Sequence, residues 1–165
     1  MIAHQNTIFA LSSGAGRAGV AVIRLSGPAA GQTLCALLGR DHLPKPRQAI
    51  YAPIRDPQSG ERLDDAVAIY FAGPASFTGE EVVELHTHGG RAVIDGVLEC
   101  LSRQPGLRIA EPGEYTKRAF ENGKMDLTAA EGIADLIDAE TAAQRRQAVR
   151  QMAGELGALY EDWRA

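Results

Sequence analysis

The chain has 165 residues, of which 45% are hydrophobic and 23% are charged, as is typical of one globular domain with or without an appendage. Its formal net charge of -4 disfavours a surface dominated by phosphate-neutralising residues and therefore also disfavours direct nucleic-acid binding. The first residues lack the basic start and apolar run of a signal peptide, and no later apolar run could span a bilayer. We therefore expect a soluble, cytoplasmic protein that does not enter a membrane.

Glycine and proline residues divide about the first 120 residues into short elements, most of them rich in β-branched side chains. The predicted strands are Thr7–Leu11, Val20–Ser26, Tyr51–Arg55, Asp65–Phe71, Val82–His86 and Leu107–Ala110. The predicted helices are Pro28–Leu38 and Arg91–Ser102. Strands and helices interleave without the regular alternation of a doubly wound fold, which favours an α+β domain with a mixed β-sheet packed with helices.

The composition changes after Lys124. The sequence from Asp126 to Ala165 contains no proline and is rich in alanine, glutamate, arginine and leucine, which predicts a helix that is continuous or broken once. The break is expected at 138–141, where Thr141 can cap a second helix. The segment has an apolar stripe that requires a packing partner, formed by Ile133, Leu136, Ile137, Val149, Met152, Leu156, Leu159 and Tyr160. We interpret the chain as ending inside a helix.

A glycine-rich stretch, GAGRAG from Gly14 to Gly19, matches the pattern of a dinucleotide-binding loop. In that fold the third glycine lies at the start of a helix whose N-terminus faces the pyrophosphate. Here the stretch is followed by VAVIRLSG, whose β-branched residues favour a strand. We therefore interpret it as a hairpin-type loop with Arg17 exposed at its tip.

The stretch SFTGEEVVELHTHGG, residues 76–90, concentrates glutamates and histidines before a double glycine. On a strand, Glu84, His86 and His88 share one face, while the residues between them share the other. The stretch could be a metal site, an acid/base centre, a ligand-binding strand, or a strand with one face in water.

The metal and acid/base interpretations each lack a necessary partner. Glu84 and His88 would lie about 13 Å apart along a strand, too far to share one ion comfortably, and no spacing elsewhere supplies a further zinc ligand. No nucleophile elbow or catalytic triad signature accompanies the titratable groups. We therefore predict no metal site and no catalytic residue.

Two features favour a ligand over a solvated strand. His88, Gly89 and Gly90 lead directly into a predicted helix, where glycines allow a ligand to approach backbone N–H groups. Glu84 lies between Val83 and Leu85 in an apolar strand, and a buried carboxylate requires hydrogen-bond donors. A ligand with adjacent N–H groups would supply them.

Four blocks of the sequence resemble one family, and they occur in order over essentially the whole chain. They are VAVIRLSG (20–27), GPASFTGEEVVELHTHGG (73–90), PGLRIAEPGE (105–114) and PGEYTKRAFENGKMDLTAAEGIADLIDA (112–139). Together they are similar to the N-terminal domain of the MnmE (TrmE) family of bacterial tRNA modification GTPases. Several long blocks in the same order make this resemblance highly specific.

The resemblance implies an α+β domain like the tetrahydrofolate-binding domain of aminomethyltransferases. Residues 1–122 would bind a 5-formyl- or 5,10-methylene-tetrahydrofolate and form the homodimer contact, and residues 123–165 would be the first part of a helical domain. With the FAD-dependent partner MnmG, the full-length parent would modify C5 of the wobble uridine of certain tRNAs.

The folate-contacting residues of the family fall on Arg24 in VIRLSG, Glu84 in VVELHTHGG and Lys124 in NGKMDL. A pterin has adjacent N–H donors, and a carboxylate such as Glu84 can accept a hydrogen bond from each of them. Arg24 and Lys124 suit the carboxylates of the folate tail or the one-carbon unit, and the sequence does not assign one cation to each.

The resemblance also implies which activities this chain lacks. GTP, Mg²⁺ and K⁺ would bind to a G domain that the chain does not contain, so we expect no GTP hydrolysis and no independent catalysis. The alternative hypothesis is a stand-alone folate-dependent one-carbon transferase that uses the same pocket.

Overall fold

The computed structural model describes residues 5–14 and 16–153 of the chain. The chain forms two compact units, with the boundary between Tyr115 and Thr116. The first unit contains a six-stranded sheet, and the described part of the second is helical. Within these residues, no helix combines the length and the hydropathy needed to cross a membrane.

All the strands and helices predicted for the first unit are present. In chain order they are β1 (Thr7–Leu11), β2 (Ala18–Ser26), α1 (Ala30–Leu38), β3 (Ala49–Arg55), β4 (Arg62–Phe71), β5 (Val82–Gly89), α2 (Arg91–Ser102) and β6 (Leu107–Ile109). The bounds of β1 and α2 are those predicted, whereas β5 continues three residues beyond His86.

The six strands form one sheet in the order β3-β4-β5-β2-β1-β6. β1 and β6 are parallel, and the other neighbouring strands are antiparallel. The sheet is therefore mixed, which confirms the predicted α+β class. The last two residues of the glycine-rich stretch, Ala18 and Gly19, belong to β2 and not to a helix, which confirms that a strand follows it, and Arg17 is exposed.

One face of the sheet holds the core of the first unit. Alternating residues of β2 and β5 on this face, Ile23, Leu25, Val83 and Leu85, are fully buried. They pack with the apolar sides of both helices of this unit, in one cluster that includes Leu34, Leu37, Val97, Cys100 and Leu101. The core therefore fixes the backbone of the two strands that carry Arg24 and Glu84.

The opposite sheet face is only half buried. Arg24, Glu84 and His86 have intermediate exposure there, as does Ile69 on the neighbouring strand, while Tyr51 on β3 is 72% exposed. This face, which we call the open sheet face, carries side chains that alternate with those of the core.

The second unit contains a helical hairpin. Its helices α3 (Glu114–Glu121, which begins in the first unit), α4 (Leu127–Ile137) and α5 (Ala142–Met152) are separated by short breaks. The predicted break at 138–141 is confirmed, and Thr141 caps α5 in a capping box with Gln144. Of the predicted apolar stripe, Leu156, Leu159 and Tyr160 lie outside the described residues.

α4 and α5 approach closely at Gly132. A Cβ atom built on this glycine would lie 2.9 Å from the Met152 backbone nitrogen and 3.2 Å from the Ala148 carbonyl oxygen. Both atoms belong to the α5 backbone and cannot rotate away. Glycine at position 132 therefore permits the helices to pack at this distance.

Candidate functional site

Arg24 and Glu84 are directly opposite each other on β2 and β5. The Arg24 Nη2 and Nε atoms both donate to Glu84 Oε1, at 2.8 Å and 3.1 Å. The two side chains are 26% and 19% exposed, so the ion pair is partly buried and reachable from solvent. The structure thus brings together two of the three residues that the sequence predicted for the site.

Two aromatic rings lie close to the Arg24 guanidinium. Its central carbon is 5.7 Å from the centroid of Phe77 and 5.6 Å from that of Tyr115, within the range of cation–π attraction. The Tyr115 hydroxyl also donates to the Arg24 carbonyl oxygen at 2.6 Å. These contacts restrict a side chain that would otherwise have several rotatable bonds free in solvent.

The second carboxylate oxygen of Glu84 faces His86. His86 Nε2 lies 3.3 Å from Glu84 Oε2, while Val83 and Leu85 point into the core. This confirms the predicted faces of the strand. The donors that a partly buried Glu84 requires come from within the protein, chiefly from Arg24, so its charge is balanced.

The loop that carries Phe77 is attached to the end of β2. The Ser26 hydroxyl donates to Glu80 Oε2 at 2.7 Å and lies 2.7 Å from the Thr78 hydroxyl. Ser26 and Thr78 are fully buried, where such hydrogen bonds are favoured because an unsatisfied hydroxyl is costly. Arg24 lies two residues before Ser26 on β2. These hydrogen bonds therefore place Phe77 beside Arg24.

Gly27 directly follows β2 and has a backbone conformation that favours glycine. Its φ angle is +134°, and a Cβ atom there would lie 2.7 Å from Thr7 Cα. The hydroxyl of Thr7 accepts a hydrogen bond from the Ala29 backbone N–H at 2.7 Å. The glycine in RLSG is therefore needed for the turn from β2 into α1, which sets the position of Ser26.

His88 has a partner other than Glu84. Its backbone N–H donates to Asp64 Oδ2 at 2.7 Å, and its ring Nδ1 is 2.8 Å from Asp64 Oδ1. Burial raises the pKa of the Asp64 carboxyl, but the hydrogen bonds from His88 and from the Asp65 backbone, together with the electrostatic attraction of His88, leave the pKa below its ordinary value. In the described part of the chain, no three potential ligands are grouped to hold a metal ion.

Lys124, the third predicted residue, lies in the second unit between α3 and α4. Its backbone N–H donates to the Ala119 carbonyl oxygen at 2.8 Å, and the residue is exposed. Its predicted part in folate binding stays a prediction.

A separate cleft lies on the first unit, away from these residues. It has a volume of about 710 Å³ and is formed by the β3–β4 turn and α2, with Asp56, Glu61, Glu99 and Arg103 among its lining residues. Asp56 and Arg103 form an ion pair of 2.7 Å there. The cleft contains none of the predicted folate-binding residues, so we place the candidate site at Arg24 and Glu84 on chemical grounds.

Phe77 and Tyr115 are site residues that sequence reasoning missed. Tyr115 contacts a residue 91 positions away, and no spacing rule connects such distant positions. Phe77 belongs to the stretch SFTGEEVVELHTHGG, which also contains Glu84. Its closeness in sequence to these polar residues was the one feature that could have indicated a place in the site.

Comparisons with known proteins match most of the chain. Residues 7–124 match a family model described as the N-terminus of the GTP-binding protein TrmE. The chain is 64% identical over 161 residues to the tRNA modification GTPase MnmE of Parvibaculum lavamentivorans, with 98% of this chain and 36% of that protein covered. It is 60% identical over 157 residues to the human mitochondrial 5-taurinomethyluridine tRNA synthase subunit GTPB3, with 95% and 32% covered.

A third relative, the tRNA modification GTPase MnmE of a Bradyrhizobium strain, is 58% identical over 161 residues, with 98% of this chain and 36% of that protein covered. The chain thus spans about a third of the length of these relatives.

Proposed function

This chain belongs to the TrmE N-terminal family, and from that premise we propose that it is the folate-binding and homodimerisation module of a tRNA modification GTPase. The observation that carries the folate proposal is the partly exposed ion pair of Arg24 and Glu84 on neighbouring strands. Residues 1–122 would form the folate-binding and dimerisation domain, and residues 123–165 would begin a helical domain.

The residues present suit the chemistry of a reduced folate. The aminopyrimidinone edge of the pterin has adjacent N–H donors, and a carboxylate such as Glu84 accepts such a pair in a bidentate manner. Folate tails end in carboxylates, for which arginine and lysine are the matching cations. Lys124 is included because of the family resemblance alone.

The bound folate would supply a one-carbon unit, and the chain's own residues would hold and orient it. We propose no catalytic residue in this chain. In the longer protein, the G domain would bind GTP with Mg²⁺ and K⁺, and the partner MnmG would act with it on the wobble uridine of tRNA. The names of the relatives, which describe tRNA modification, support this wider role.

We propose that the homodimer contact lies at the β3 side of the open sheet face, where β3 is the edge strand and β4 separates it from the strand of Glu84. Tyr51 on β3 is 72% exposed there. Tyrosine is enriched in protein–protein contacts, and an edge strand has unpaired backbone groups that a second copy can pair with. Sedimentation of the chain with Tyr51→Glu, compared with the unsubstituted chain, tests this part: a dimer that becomes a monomer supports it, and a monomer in both cases contradicts it.

Titration of the chain with 5-formyltetrahydrofolate tests the folate proposal. We expect saturable binding that Glu84→Gln weakens at least about tenfold, because the neutral amide loses the charge-assisted acceptor. Glu99→Gln is the matched control, since Glu99 is 74% exposed on α2, and it should leave binding unchanged. Absence of binding by the unsubstituted chain, or equal binding by Glu84→Gln, would contradict the proposal.

A further inference from the structure

We propose that the Arg24 guanidinium is a built-in substitute for the pterin edge, and that folate binding exchanges the guanidinium for the pterin on Glu84. This inference rests on the proposed function and adds to it a mechanism by which the site selects its ligands. Ligands would be accepted only when they bring both a pair of N–H donors for Glu84 and an anion for the displaced arginine.

The first argument is the chemical likeness of the two groups. A guanidinium is planar and presents adjacent N–H donors, as does the aminopyrimidinone edge of a pterin. In the structure, two donors of Arg24 converge on one oxygen of Glu84, at 2.8 Å and 3.1 Å. A bidentate ligand needs that same oxygen, so it competes directly with Arg24 for the carboxylate.

The second argument comes from the aromatic surroundings. Phe77 and Tyr115 lie within cation–π range of the guanidinium. The same side chains suit a flat heterocycle, because aromatic rings pack well in offset or edge-to-face arrangements. Phe77 is 38% exposed, so a ring entering from solvent can reach this position.

The third argument concerns the free energy of the exchange. The pair joins neighbouring strands with side chains that are 26% and 19% exposed, and a cross-strand ion pair stabilises a sheet only modestly. The two cation–π contacts of Arg24 are also individually modest, so a bound ligand can displace the guanidinium. Glu84 has donors before and after the exchange, so the protein never leaves a partly buried carboxylate without a partner. The exchange therefore avoids the large cost of an unpaired buried charge.

The displaced Arg24 would then need a new anionic partner. The folate tail supplies carboxylates, and arginine pairs with a carboxylate through two parallel hydrogen bonds. A pterin without a tail would leave Arg24 without its ion-pair partner. The site would therefore favour tailed folates over tail-less pterins through Arg24, and not only through contacts with the tail itself.

Titration with two probes tests this exchange. The probes are 5-formyltetrahydrofolate and 5-formyl-6-methyltetrahydropterin, which lacks the aminobenzoylglutamate tail. For Arg24→Ala we expect at least about threefold tighter binding of the tail-less probe and weaker binding of the folate, so that the affinity ratio between them falls about tenfold or more. Arg24→Met, which keeps an apolar stem beside the rings, should give the same change if Arg24→Ala folds poorly.

Arg40→Ala serves as the control, since Arg40 is exposed just after α1, and it should leave the ratio unchanged. Equal or weaker binding of the tail-less probe by both Arg24 variants would overturn the exchange. If the unsubstituted chain binds folate in that case, the proposed function stands without the exchange. If the unsubstituted chain binds neither probe, both proposals fail.

Discussion

Arg24 and Glu84 face each other across two antiparallel strands, and their side chains form an ion pair of 2.8 Å on the open sheet face. The other face of the same strands is packed into the core, with Ile23 and Leu85 fully buried. Because the core fixes both backbones, the pair is held in position by the fold and not only by its own attraction.

A double-mutant cycle on this pair should give a favourable coupling. Cross-strand pairs of opposite charge stabilise a sheet by about 0.2–1 kcal/mol. We therefore expect Arg24→Ala and Glu84→Ala together to destabilise the chain by less than the sum of the two single changes. Urea unfolding of the four proteins measures the coupling, and strict additivity would mean that the two side chains do not interact in solution.

Alanine substitutions at Gly132 and Gly96 test whether α4 and α5 pack closely at Gly132, with Gly96 as the matched control. A Cβ atom at position 132 would lie 2.9 Å from the α5 backbone, whereas at position 96 on α2 its nearest neighbour is Leu63 Cδ2 at 4.0 Å. Gly132→Ala should therefore destabilise the helical hairpin by about 1–3 kcal/mol. Gly96→Ala should stabilise its helix by up to about 1 kcal/mol, because alanine has the higher helix propensity.

Hydrogen exchange resolved by helix distinguishes these effects, because each change should alter protection in its own helix. Equal stabilisation by both substitutions would show that α4 and α5 do not pack closely at Gly132.

Asp56 should contribute to stability in a way that depends on pH. The Gln58 backbone N–H, at 2.8 Å, and the Arg103 guanidinium, at 2.7 Å, hold the pKa of this carboxyl below its ordinary value of 3.8 despite its burial. The folded state therefore binds fewer protons than the unfolded state as the pH falls below this value. The contribution of Asp56 to the free energy of unfolding is present above pH 3.8 and is lost as the pH falls through the folded-state pKa of this carboxyl.

Asp56→Asn should consequently reduce the acid dependence of the unfolding free energy. Asp95→Asn, at an exposed position on α2, is the control and should keep the original dependence. Urea titrations at a series of acidic pH values give the slopes. An Asp56→Asn slope equal to that of the unsubstituted chain would contradict the assigned hydrogen bonds.

The first unit was predictable from sequence because its strands are β-branched segments separated by glycine and proline. The end of β5 was not, since Thr87 and His88 precede a double glycine that is typical of a turn. In the structure Gly89 pairs with Ala18, and a Cβ atom at Gly89 would lie 2.4 Å from the Ala18 carbonyl oxygen. The glycine that suggested the end of the strand instead permits close pairing.

α3 was the element that sequence reasoning missed. Its eight residues lie between Pro112-Gly113 and Asn122-Gly123, and so short a segment carries little periodicity. Pro-Gly before it and Asn-Gly after it were the available signals, because both pairs commonly punctuate elements. Tyr115 belongs to this helix, so missing α3 also concealed its contact with Arg24.

The faces of the site strand could be predicted, but the partner of Glu84 could not. Alternation alone places Glu84 and His86 on one side. The register that sets Arg24 opposite Glu84 joins strands 60 residues apart and depends on the order of the whole sheet. The sequence therefore indicated that Glu84 requires donors without indicating that Arg24 provides them.

A crystal structure of the chain with 5-formyltetrahydrofolate is the most direct test of the central claim, which is that Glu84 accepts the N–H donors of a pterin. We predict ligand density whose aminopyrimidinone edge lies within hydrogen-bond distance of both Glu84 oxygens. Ligand density elsewhere on the chain, or an Arg24–Glu84 pair that keeps its geometry without neighbouring density at saturating folate, would contradict it.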